Sequence, residues 1–207
     1  MKRALVLVDL QNDFIPGGSL AVRDGDAVIP VANAVQKKFG GLILATQDWH
    51  PKNHGSFASN YPGKHPGEMV ELGGLPQVLW PDHCVQGSRG AQFHAVLDRT
   101  RVTKVFRKGT DPAIDSYSTF FDNAHRKATG LGDYLKSEEI TDVYLLGLAT
   151  DYCVKYSALD AVHLGFKTHV IIDGCRGVEL SAGDTKAAID EMRKAGVEIV
   201  TSGDLRP

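Results

Sequence analysis

Asp9, Lys108 and Cys153 are widely spaced in the chain, yet each lies just beyond a stretch whose pattern reads as a strand. Cys153 closes the stretch Val143–Val154, whose apolar half ends in a small-residue corner, and it falls on what the pattern makes the first turn of a helix. Backbone N–H groups and the positive end of a helix dipole both favour a thiolate there. A cysteine nucleophile also needs a base to take its proton, or a positive neighbour. Asp9 can accept that proton, and Lys108 can hold Asp9 ionised and steady a developing anion. Lysine and helix end lower the thiol pKa while the carboxylate raises it, so the resting charge of Cys153 stays open. Taken singly, Cys153 reads as a small buried hydrophobe, Asp9 as a loop cap and Lys108 as a solvated charge. Taken together they suit attack on an amide or ester carbonyl. Backbone N–H groups near Ala149 and Cys153 can supply the oxyanion hole that such chemistry needs.

A second cluster has metal-ligand character. Asp48 and His50 are two apart, so on an extended segment both project from one side. His83 lies in Trp80-Pro-Asp-His-Cys84, and His54 follows His50 by four residues. Carboxylate plus imidazoles, with water in the other positions, suits Zn²⁺, Fe²⁺ or Mn²⁺ at an open site. Isolated loop histidines are often ordinary polar residues. Cys84 and Cys175 read as packing. Phe14, Trp80, Tyr117 and Tyr152 fall in loops or corners, where they either pack in the core or wall a slot for a flat ring.

The elements that must carry these residues follow from periodicity. Ala4–Asp9, Leu42–Thr46, Val102–Arg107, Val143–Leu148, Thr168–Asp173 and Val197–Val200 read as strands. Val28, Ala32, Val35 and Phe39 recur at helical spacing, and further helices are expected over Leu131–Ser137, Tyr152–Leu164 and Ala182–Ala195. The order implies an α/β fold: a single-domain three-layer α/β/α sandwich around a six-stranded, mainly parallel sheet. In such sheets ligands bind beyond the strands' carboxyl ends, where Asp9, Asp48, Lys108 and the Cys153 corner lie. The stretch from Pro51 to about Arg101 has no sustained period. Five of the chain's eight histidines lie from His50 to His94, and scattered aromatics accompany them, which points to a site rather than to disorder.

Composition narrows the function class. With 207 residues and 43% hydrophobic content the chain can bury one good core, and a net charge of −2 gives no basic face for nucleic acid. The opening apolar run is too short for a signal peptide or a membrane span. Three cysteines form neither an even disulfide set nor a CxxC knuckle. A cytoplasmic protein with reduced thiols and no membrane partner is expected.

The blocks Val8-Asp-Leu-Gln-Asn-Asp-Phe14, Asp48-Trp-His-Pro-Lys-Asn-His-Gly-Ser-Phe57, Trp80-Pro-Asp-His-Cys-Val85, Arg107-Lys-Gly109, Asp115-Ser-Tyr-Ser-Thr-Phe120 and Gly147-Leu-Ala-Thr-Asp-Tyr-Cys153 occur in this order. As a set they resemble the nicotinamidase branch of the isochorismatase-like cysteine hydrolases, over essentially the whole chain. The resemblance implies hydrolysis of nicotinamide to nicotinic acid and ammonia in NAD salvage, with pyrazinamide as a further substrate. It implies Cys153 as nucleophile, Asp9 as proton shuttle and Lys108 as support for both. It also implies one divalent metal on Asp48, His50 and His83, zinc first with iron or manganese as alternatives, and no organic cofactor. Phe14, Leu20, Trp80, Tyr117 and Tyr152 would line the ring slot. A cis peptide is expected at Ala149–Thr150, and His54 is left outside the ligand set. A monomer or small homo-oligomer is expected.

Overall fold

The computed structural model describes residues 2–205. Eight strands are formed: β1 (Arg3–Val8), β2 (Leu42–Asp48), β3 (Met69–Leu72), β4 (Leu75–Val78), β5 (Lys104–Lys108), β6 (Asp142–Leu148), β7 (Lys167–Arg176) and β8 (Glu198–Val200). Four α-helices accompany them: α1 (Val28–Lys38), α2 (Leu131–Ser137), α3 (Lys155–His163) and α4 (Asp184–Lys194). Six strands make one sheet in the order β5-β2-β1-β6-β7-β8, every pairing parallel.

The middle of that sheet is apolar on both faces because helices cover both. Ala4 through Val8 have no exposed surface, and Val143, Leu145, Leu146 and Leu148 of neighbouring β6 are equally buried. Helix α1 packs on β6 and β7, while α3 and α4 pack on each other. Right-handed crossovers in opposite directions from the sheet centre put α1 on the face opposite α3 and α4. Among the described residues, no helix is long and apolar enough to cross a membrane.

The strands that end in Lys108, Asp48, Asp9 and the Cys153 corner are β5, β2, β1 and β6, four consecutive neighbours. The chemistry-bearing groups therefore share one half of one rim. Between β2 and β5 the long irregular stretch contains a hairpin, β3–β4, that periodicity does not reveal. Its strands are four residues each and β4 contains Pro76, while Gly73 and Gly74 at φ 61° and 82° form its tight turn. Strand β7 runs on to Arg176, past the expected end at Asp173. A register shift between Leu145 and Gly147 lets Gly147 pair with Cys175 and Leu148 with Arg176.

Candidate active site

Cys153 does not begin a regular α-helix. It sits in a wider π-type turn, Thr150–Val154, that precedes α3, with the Val154 amide donating to the Ala149 carbonyl at 3.0 Å. A cis peptide is present at Leu148–Ala149. This corrects the expectation of Ala149–Thr150 by one link. Strand β6 ends at Leu148, so the chain leaves the sheet at the Leu148–Ala149 bond and Ala149 is already extended beyond it. Gly147 is required just before, because at φ 139° a Cβ would stand 2.1 Å from the Val8 carbonyl oxygen.

Lys108 stands at the centre of the site. Its Nζ lies 2.5 Å from Asp48 Oδ1, 2.9 Å from the Ser116 carbonyl, 3.0 Å from Asp9 Oδ2 and 3.3 Å from Cys153 Sγ. Burial disfavours its charge, but Asp48 and then Asp9 outweigh burial and hold its pKa well above the usual lysine value. Burial raises Asp9; Lys108 pulls it down, Asp48 pushes it up again, and it stays above the ordinary carboxylate range. Burial also raises Cys153 well above a free thiol, with Lys108 opposing and Asp9 and Asp48 assisting. The resting thiol is therefore neutral, beside a carboxylate of raised basicity. Asp9 is itself poised: it adopts φ 51° at the end of β1, and its Oδ1 accepts a 2.6 Å bond from Thr46. Its Oδ2 is buried with no hydrogen bond apart from the Lys108 ion pair.

Asp48, His50 and His83 are all buried, and their ligand atoms lie within 4.8 Å of one another. His50 Nδ1 donates to the Gly109 carbonyl and His83 Nδ1 to the Pro81 carbonyl, both at 2.8 Å, which leaves each Nε2 as a lone pair. Those Nε2 atoms approach Asp48 Oδ2 at 3.6 and 3.9 Å, and the His50 Nε2 is buried without a hydrogen-bond partner. An orphaned imidazole nitrogen facing a carboxylate and a second imidazole fits a divalent cation. Burial opposes the charge on Asp48, but Lys108 and then His50 hold its carboxyl far below the ordinary range. Burial and then His50 press His83 down to about 4, so its ring is neutral.

His54 joins this cluster from the side. Its ring centroid is 4.2 Å from that of His50, its Nδ1 pairs with Ser56 Oγ at 2.7 Å, and its Nε2 is buried without a partner. His50, His54 and Asp115 form a second group of converging ligand atoms.

These groups face a narrow slot lined by Phe14, Leu20, Trp80, Tyr117 and Tyr152 together with Asp48, His83, Ala149 and Cys153. Trp80 and Tyr152 meet edge to face at 5.0 Å, and Tyr117 meets Tyr152 at 5.3 Å, so the walls are rigid and flat. The fold thus brings every residue singled out in the sequence to one place, with Asp9, Lys108 and His50 just behind the slot surface.

Sequence reasoning missed the residues that hold this arrangement. Gln11 accepts from the Asp48 amide and donates to the Asp48 carbonyl, each at 2.8 Å, and so fixes the backbone of β2 at its end. Gln77, from the hairpin, donates to Tyr117 Oη at 2.9 Å and to Asp115 Oδ2 at 3.1 Å. Asp115 and Val178 also line the slot. Gln11 stands two residues after Asp9, a signal a reader could have used; Gln77 and Val178 carry none.

The isochorismatase domain family model matches residues 3–204. The nicotinamidase of Escherichia coli (strain K12) is 52% identical over 205 residues, covering 98% of this chain and 96% of that protein. Among solved structures, the Acinetobacter baumanii nicotinamidase/pyrazinamidase superposes with a TM-score of 0.95 at 49% identity, over 98% of this chain and 97% of that one. The Pyrococcus horikoshii pyrazinamidase, solved in complex with zinc, gives 0.79 at 37% identity over 97% and 99%. Matched along nearly its whole length in both sequence and structure, the chain belongs to the isochorismatase domain family.

Proposed function

We infer that this protein is a nicotinamidase, an amidohydrolase that converts nicotinamide to nicotinic acid and ammonia. The observation that carries the reading is one aromatic-walled slot whose floor holds a buried thiol, carboxylate and ammonium and whose end holds a carboxylate–imidazole cluster. The Escherichia coli and Acinetobacter relatives carry that activity in their names, and the pyrazinamidase names of the Acinetobacter and Pyrococcus proteins extend the reading to pyrazinamide.

In this reading the Cys153 sulfur attacks the carboxamide carbon while Asp9 Oδ2 takes its proton. The amides of Ala149 and Cys153 receive the developing oxyanion. Asp9 then passes the proton to the departing nitrogen, which leaves as ammonia, and a thioester remains. Water attacks the thioester with Asp9 accepting its proton, and nicotinic acid leaves as the thiol is restored. Lys108 stays protonated and stabilises Asp9 and the anionic stages. Phe14, Leu20, Trp80, Tyr117 and Tyr152 hold the ring. Asp48, His50 and His83 would hold one divalent ion, zinc first with iron or manganese as alternatives, whose chemistry here is Lewis-acid anchoring of the ring nitrogen. The zinc in the Pyrococcus relative supports that order. No organic cofactor, nucleic acid or membrane enters the reading, which places the enzyme in the cytoplasm as a monomer or small homo-oligomer feeding NAD salvage.

The test is ammonia release from nicotinamide, pyrazinamide and a panel of unrelated amides, before and after metal is stripped and restored. Preference for the two ring amides, lost on stripping and regained with zinc, iron or manganese, is expected. Full turnover by metal-free protein would sink the metal assignment. Preference for a non-aromatic amide would sink the substrate assignment.

A further inference from the structure

Asp151, two residues before the nucleophile, is absent from the mechanism above, yet it is 5% exposed and both carboxylate oxygens are engaged. Oδ1 accepts the Val178 amide at 2.9 Å and Oδ2 accepts the Glu179 amide at 2.8 Å. These successive amides belong to the segment that leaves β7 after Arg176, and Val178 lines the slot beside Tyr152 and Cys153. The segment is fitted to this clasp. A Cβ at Gly177 would stand 1.9 Å from Thr185 Oγ1 and in contact with Asp151 Oδ1, so a side chain there would have to displace Thr185 or the segment itself. Glu179 adopts φ 58°, and its carboxylate accepts the Gly183 amide at 2.8 Å and the Thr185 hydroxyl, fastening the far end of the segment to the start of α4.

One carboxylate on the nucleophile's own turn therefore sets where a wall of the slot stands. We propose that Asp151 is a positioning residue for specificity: through the amides of 178 and 179 it fixes Val178 against the ring face and so decides which ring substituents the slot admits. The inference rests on the amidase reading and adds to it a determinant of selectivity separate from Asp9, Lys108 and Cys153. A charge-assisted pair of bonds to two successive amides is strong enough to hold a loop, and asparagine at 151 would present an N–H to one of those donors.

The experiment uses the full-length, metal-loaded enzyme and Asp151→Asn, Val178→Ala, the double variant and Gly177→Ala. Steady-state constants are measured for nicotinamide and 6-methylnicotinamide, and iodoacetamide labelling of Cys153 is followed with and without nicotinic acid. For Asp151→Asn the expected result is a KM raised about tenfold with kcat changed less than about threefold, the split that marks lost binding rather than lost chemistry. Labelling of the free enzyme stays at the wild-type rate, nicotinic acid protects less, and selectivity moves toward the methylated ring. Val178→Ala moves selectivity the same way, and the double variant adds little to either single change, because both act through one wall. Gly177→Ala, which displaces the segment but leaves the carboxylate intact, reproduces the selectivity shift and serves if Asp151→Asn does not fold. A fall in kcat with KM unchanged, an altered labelling rate in the free enzyme, or additivity of the two changes would overturn the proposal. Wild-type protein inert toward both pyridine carboxamides would instead overturn the amidase reading beneath it.

Discussion

Lys108 Nζ and Asp48 Oδ1 lie 2.5 Å apart, so the ammonium that touches Cys153 Sγ also anchors a carboxylate of the candidate metal cluster. The thiol chemistry and the cation site are thereby joined through one side chain. Lys108→Met removes the ammonium that sits between the buried carboxylates of Asp9 and Asp48, which costs about 3–5 kcal/mol when one member of a buried pair is lost. The variant is expected to melt at lower temperature, to lose nicotinamide turnover by at least about a thousandfold, and to bind its metal differently because Asp48 loses its partner. Thermal melts with metal analysis of the same samples check this; a variant that loses turnover while keeping stability and metal unchanged would contradict the joint role.

Cys153→Ala should abolish turnover while leaving the slot able to bind. The side chain is 6% exposed and contributes little volume, so stability should change by less than about 1 kcal/mol, near the cost of deleting one small buried group. Isothermal titration with nicotinic acid should give an affinity close to wild type. Mass spectrometry of the wild-type enzyme quenched during turnover should find an acyl adduct on the peptide carrying Cys153, and an adduct elsewhere would displace Cys153 from the nucleophile's role.

Much of this site is legible in the sequence because it lies at strand ends. A buried parallel strand such as β1 declares itself as an apolar run, and the first polar residue beyond it, Asp9, falls on the rim by topology alone, while Asp48 and Lys108 reach the same rim as the last residues of β2 and β5. What is not legible depends on tertiary contacts without periodicity. The β3–β4 hairpin is too short to alternate visibly, and the value of Gln77 lies in reaching Tyr117 and Asp115 some 40 residues away. The cis link also escaped by one residue, since the sequence marks the corner at Gly147-Leu-Ala-Thr but not the bond at which β6 lets go. The pattern leaves His54 outside the ligand set without deciding its role, and its buried, unpartnered Nε2 beside His50 makes it a neighbour of the cluster.

Gly109 separates positioning of the proposed metal ligands from their chemistry. It follows Lys108 at φ 63°, its carbonyl accepts from His50 Nδ1, and a Cβ there would stand 2.3 Å from His50 Cε1. Gly109→Ala therefore pushes the His50 ring aside without altering any ligand. The expected outcome is metal affinity reduced about 10–100-fold, the usual range for disturbing a ligand's support, with turnover restored at high metal concentration. Metal titration of the stripped variant measures this, and unchanged affinity would mean that His50 is not a ligand.

The dependence of metal binding on pH follows from the two imidazoles' opposite shifts. A cation must displace any proton on its ligands. Burial lowers His50, but the Asp48 carboxylate outweighs it and raises the ring above 6.5, whereas burial and His50 hold His83 at about 4. As pH falls through the raised His50 value, one proton competes for the site and affinity should drop about tenfold per pH unit. A second proton joins only near the His83 value, where the slope steepens. In metal-free protein the signs for stability oppose each other. His50 contributes stability that is full below 6.5 and is lost as pH rises through its folded value; His83 contributes stability that is present above 6.5 and is lost as pH falls toward about 4. Zinc affinity measured by chelator competition between pH 5 and 8 reads the first effect. Affinity that stays flat down to pH 5 would remove His50 from the ligand set and leave its orphaned Nε2 without a cation to explain it.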